Sequence, residues 1–147
     1  MLKKIILIGL VASAGYYYWH KHDATPIDLG KLAASTDVGA AEDAYRAHRS
    51  GSVLTVEGTV ERVLGDDTHG SRHQRFIMRL PSGQTLLVAH NIDLARRVAG
   101  LTAGASVKVH GEYDWNENGG LMHWTHKDPL GRHEAGWIEI GGKRYDQ

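Results

Sequence analysis

A chain of 147 residues with 17 Lys plus Arg, 17 Asp plus Glu and no cysteine has room for one modest core, and it excludes a disulfide framework and a thiolate metal site. Setting aside Lys3 and Lys4 of the N-terminal segment leaves 15 basic against 17 acidic residues, which excludes a general electrostatic grip on nucleic acid or anionic lipid. Any anion site must come from a local cluster of positive groups.

The chain opens with Met1-Leu2-Lys3-Lys4 and the apolar run Ile5 to Gly15, the layout of an export signal. Ala12-Ser13-Ala14 offers a small-x-small cleavage site, although a signal of about 14 residues is short. Read uncleaved, the run extends through Tyr16-Tyr17-Tyr18-Trp19, whose amphipathic rings suit a membrane interface. Residues 1–19 are therefore expected to be a signal-anchor or signal peptide, a hydrophobic helix that makes the membrane a partner. The domain is then placed in the periplasm, tethered by a single pass through the inner membrane or secreted. Residues 20–35, interrupted by Pro26, read as a linker, and residues 36–147 as the globular domain.

A helix is predicted from Asp37, as its capping residue, to His48, with Val38, Ala41, Tyr45 and His48 on one stripe and Gly51 as a stop. From Val53 onward the period changes to two. Leu54, Val56 and Val60 alternate with polar residues, with Gly58 at a position suited to a bulge. Phe76, Met78 and Leu80 share a face in the second run, and Leu86, Val88 and His90 in the third. Asn91 to Ala103 breaks the pattern and suggests a short helix. In the fourth run Val107, Val109, Tyr113 and Trp115 oppose Lys108, His110, Glu112 and Asp114, and Asn118-Gly119-Gly120 turns into a fifth, Leu121 to His126. The order predicts a mainly β domain, a small five-stranded OB-like barrel with one flanking helix. An open antiparallel sheet on one helix has the same periodicity and remains the alternative.

Polar side chains gather at strand ends in Arg72-His73-Gln74-Arg75, in His90-Asn91, and in His123 to Asp128 running into Arg132-His133. Imidazole and carboxylate together form a nitrogen/oxygen donor set for a divalent metal such as zinc. His123, His126 and Asp128 are the candidate ligands. On a regular strand His126 and Asp128 share a face that His123 does not, so only a turn near Thr125 unites them. His90 and His133 are candidate general base and acid, and Arg75 and Arg132 can neutralise charge on a phosphoryl oxygen. Trp115, Trp124, Trp137 and Tyr113 are candidates for a stacking surface. Solvated surface and ordinary core packing account for many of these residues equally well. No Gly-x-Ser-x-Gly elbow or phosphate-cradling loop is present.

His73-Gln74-Arg75-Phe76, Leu80 to Gln84, Ala89-His90-Asn91-Ile92-Asp93-Leu94, Gly111-Glu112-Tyr113, His123-Trp124-Thr125-His126, Asp128-Pro129, Gly131-Arg132-His133, Gly136-Trp137-Ile138 and Tyr145 together resemble a bacterial domain-of-unknown-function family, number 3465. The resemblance runs from about Tyr45 to the C-terminus. It implies a small secreted or anchored bacterial protein and supplies no catalytic assignment.

Two functions compete. The first is a membrane-anchored or exported binding module of the cell envelope, its partner a glycan, peptide or protein. The alternative is a metal-assisted hydrolase of phosphodiesters using the His/Asp/Arg cluster. A third, purely structural reading has the tail from Gly136 to Gln147 add a closing strand.

Overall fold

The computed structural model of the chain describes residues 37–147. One helix, α1 (Val38–Arg46), precedes seven strands: β1 (Ser52–Val63), β2 (His73–Arg79), β3 (Thr85–Asn91), β4 (Ser106–Asp114), β5 (Leu121–His123), β6 (Trp137–Ile140) and β7 (Lys143–Tyr145). The hydrogen-bonded order β1-β2-β3-β5-β4 returns to β1 through an antiparallel β1–β4 ladder from Ser52↔Tyr113 to Thr59↔Ser106. Five strands thus close into a barrel, with β3 and β5 the parallel pair. This is the OB arrangement, and the β1–β4 ladder excludes the open sheet.

Alternation makes the core. Val56, Val60, Phe76, Met78, Leu86, Val88, Val107, Val109, Tyr113 and Met122 point inward and are essentially fully buried, and α1 adds Ala41 and Ala44. β6 and β7 form a hairpin that extends the sheet from β4 beyond the closed ring. The tail therefore adds strands, but closure does not depend on it.

Several local expectations are corrected. Asp37 makes no side-chain cap; its carboxylate accepts the Thr55 N–H at 2.8 Å and its own N–H bonds the Thr55 carbonyl, pinning α1 to β1. The helix ends at Arg46, and His48 takes a left-handed backbone (φ 50°). The irregularity in β1 lies between Val60 and Arg62. Gly58 answers a different need, since a Cβ there would stand 2.3 Å from the Arg79 carbonyl oxygen. No helix forms between Asn91 and Ala103. The Asn91 side chain takes the Asp93 N–H, and Gln74 clamps Val98 by donating to its carbonyl (3.0 Å) and accepting its N–H (2.8 Å). Backbone groups that a helix would pair are thereby committed elsewhere. β5 ends at His123, three residues before the expected limit, because Trp124 turns left-handed (φ 51°).

The hydrophobic helix expected over residues 1–19 and the linker over 20–35 lie outside the described residues. Among the described residues no helix is long and apolar enough to cross a membrane. Nothing among the described residues therefore supports the expected transmembrane segment, membrane partner or inner-membrane, periplasm-facing location.

Candidate metal centre and groove

The outward face of β4 carries Lys108, His110, Glu112 and Asp114, because their inward neighbours Val107, Val109 and Tyr113 fill the core. β4 shares one edge between two partners: Lys108 to His110 pair with β6, and Glu112 to Asp114 pair with β5. Glu112 stands directly opposite His123, so both side chains emerge on the same face. His123 Nε2 lies 2.9 Å from Asp114 Oδ2 and 3.7 Å from Glu112 Oε1. Donor atoms of Glu112, Asp114 and His123 all lie within 4.8 Å of one another. A Glu/Asp/His cluster able to coordinate a metal ion is therefore present.

The donor set fits such an ion. His123 Nε2 is buried and makes no hydrogen bond; the nearby carboxylates are within reach but off its bonding direction. An unsatisfied buried nitrogen costs about 1–3 kcal/mol, which a cation between it and the two carboxylates would relieve. Ligand bonds of roughly 2.1 Å allow donors up to about 4.2 Å apart, so the three groups need close by only a fraction of an ångström.

His133 braces the cluster from the following loop. Its Nε2 is 2.7 Å from Glu112 Oε2 and its Nδ1 is 2.7 Å from the Glu134 carbonyl oxygen. Both partners only accept, so both bonds are made when both ring nitrogens are protonated. Desolvation works against that charge, but the Glu112 bond, the Glu134 bond and the charges of Glu112 and Asp128 outweigh it and raise the His133 pKa. Trp124 stacks flat on the same ring at 4.4 Å. Alongside, His110 is held between Thr55 Oγ1 (2.9 Å) and Glu134 Oε1 (3.1 Å).

His123 also borders a groove of about 210 Å³ over the outer ends of β2, β3 and β5, lined by His73, Ala89, Asn91, Leu94, His123, Trp124 and His126. All seven lining residues come from the three sequence stretches His73–Phe76, Ala89–Leu94 and His123–His126.

The residues expected from sequence fall in different places. His123 is in the cluster. His126 lines the groove, with its Nδ1 donating to the Lys127 carbonyl (2.8 Å), but it is not in the donor group. Asp128 is not there either: its carboxylate accepts the backbone N–H groups of Leu130, Arg132 and His133, folds the loop, and is held below the usual carboxylate range by those bonds, that from Leu130 foremost. The turn at Trp124 that frees His126 from strand geometry thus sends Asp128 to a structural role.

His90 is fully buried, bonded by Nδ1 to Thr125 Oγ1 (2.8 Å) and by Nε2 to the Arg96 carbonyl (3.1 Å). With both nitrogens engaged in the core, it is not placed for acid–base work. Arg75 bonds the Gly65 carbonyl, and Arg132 is largely exposed, 3.8 Å from Asp128; neither is brought to the cluster. The aromatic platform also separates. Tyr113 is core, Trp115 packs on His48, and Trp137 lies between His110 and Arg144. Glu112 and Asp114 were not among the expected ligands, although their alternation opposite Tyr113 placed them on one outward face.

The envelope-binding reading is overturned by this geometry: two carboxylates converging on an orphaned imidazole beside a groove favour metal-assisted chemistry over a binding scaffold. A family model described as "Protein of unknown function (DUF3465)" matches residues 25–146. No curated protein matches the chain.

Proposed function

The chain belongs to the DUF3465 family, and on that premise we propose that it is a metal-assisted hydrolase acting on a small phosphodiester. The observation that carries the reading is the meeting of Glu112, Asp114 and the unsatisfied His123 Nε2 at the border of the groove. One imidazole and two carboxylates suit zinc or manganese. Held there, such an ion would supply Lewis acidity and would lower the pKa of bound water.

The protein's own groups do the rest. His133 fixes the Glu112 carboxylate through its second oxygen, the outer support that ligating carboxylates commonly have. The groove offers a seat of limited size, with the small Ala89 among its lining residues. Near-neutral overall charge favours a small substrate over polymeric nucleic acid.

Zinc and manganese titration of the full chain, with bis(4-nitrophenyl) phosphate as the hydrolytic probe, tests this. One equivalent of metal should bind the parent, and Glu112→Gln or His123→Ala should weaken it at least tenfold and abolish turnover. Parent-like metal affinity in both variants would show that the ligand set is wrong; a metal-loaded parent without turnover of phosphodiesters would remove the hydrolytic reading.

A further inference from the structure

We propose that His126 is the proton acceptor of this reaction, taking a proton from the water that attacks the phosphorus; the inference rests on the hydrolytic reading above. The other histidines around the site are committed. His90 has both nitrogens bonded in the core. His110 is held between Thr55 and Glu134, His133 between Glu112 and the Glu134 carbonyl, and His123 belongs to the ligand group. His73 and His126 remain, both in the wall of the groove.

His126 is mounted for the task. A carbonyl can only accept, so the 2.8 Å contact from Nδ1 to the Lys127 oxygen puts the proton of the neutral ring on Nδ1 and leaves the lone pair on Nε2. An acceptor fixing one nitrogen so that the other is the base is the logic by which triads orient their imidazole. The residue is 4% exposed and lines the groove that His123 borders. Its surroundings hold it: its carbonyl accepts the Gly136 N–H (3.0 Å), the adjacent Lys127 N–H bonds the Asp146 carbonyl (2.8 Å), and the ring packs against Trp124 at 5.6 Å. Orientation is thus set before substrate arrives. His73 has a similar bond, from Nδ1 to the Ser71 carbonyl (2.8 Å), but is more open, and its ring bonds only to its own preceding loop; contact with the substrate suffices for it.

In the step, an O–H bond of water breaks and its proton passes to His126 Nε2 as the oxygen bonds phosphorus. The ester P–O bond breaks, and the departing alkoxide takes a proton from His126 or from bulk water. The ring returns to neutral, and no oxidant or co-reactant is needed.

The test compares the metal-loaded full chain with His126→Ala and His126→Gln on bis(4-nitrophenyl) phosphate, measuring kcat, KM and metal affinity by calorimetry. Loss of a general base predicts a fall in kcat of about 100-fold or more, with KM and metal affinity kept. Imidazole added to the buffer should restore part of the kcat of the alanine variant, saturably, and little in the glutamine variant, whose cavity is filled. Undiminished kcat, metal affinity lost with His126, or absence of rescue by imidazole would each overturn the assignment while hydrolysis by the parent stands. A parent that binds metal and hydrolyses no phosphodiester is a different failure: it removes the hydrolytic reading and this assignment with it.

Discussion

His90 shows how one buried side chain ties the barrel to pH. Burial, opposed by its bonds to Arg96 and Thr125, lowers its pKa from 6.5 to about 4. In the unfolded chain the ring protonates near 6.5 and in the fold only near 4, so between these values the unfolded state binds more protons. The stabilising contribution is complete above about pH 6.5 and is lost as pH falls toward 4, by about 3 kcal/mol at most. Urea unfolding at pH 7 and pH 4.5 should show a steeper loss in the parent than in His90→Gln, a variant less stable at pH 7 but lacking this titration. Equal slopes would mean that the ring stays neutral for no energetic reason of burial. The inward direction of His90 was legible: it continues the Leu86, Val88 face. Its chemistry was not, since alternation says which way a ring points and not whether both its nitrogens find partners.

At the scale of elements, strand alternation carried most of the fold and strand ends carried the errors. β1 to β4 follow their period closely, and the outward placement of Glu112 and Asp114 is read from it directly. Their meeting with His123 depended on the β4–β5 register, a pairing between separate segments that no single run encodes. The unformed helix after Asn91 and the shortened β5 fail for a shared reason: side chains of Gln74 and Asn91, and the left-handed Trp124, take over backbone that local propensity would have assigned otherwise.

Two glycines separate local from tertiary demands. A Cβ on Gly136 would lie 1.8 Å from the Trp124 carbonyl oxygen and 2.8 Å from that of His110, so Gly136→Ala should destabilise by about 3 kcal/mol and disturb the His126 mount. Gly39, inside α1, meets nothing within 4 Å, and Gly39→Ala should stabilise by about 0.5–1 kcal/mol. Denaturant midpoints of the two variants, moving in opposite directions, check both.

For the whole molecule, the barrel is sealed by one continuous core. Phe76, the single phenylalanine of the sequence, is fully buried at its centre, and Phe76→Ala should cost about 3–5 kcal/mol, measured by chemical denaturation. The metal-bound form should gain stability with rising free metal by mass action, and Glu112→Gln should need at least tenfold more metal for the same gain. The forked edge of β4 has a further consequence. β5 stops after three residues and β6 takes up pairing farther down the same strand, so a gap in the weave is left where the chain from Trp124 to Gly136 must loop outward. That loop carries both His133, which braces the metal ligands, and the mounted imidazole of His126. A β5 that ran on in register past His123 would hold His126 to strand alternation and remove that loop: the ligands sit on paired strands, and the groups that serve them are housed where hydrogen-bonded regularity is withheld.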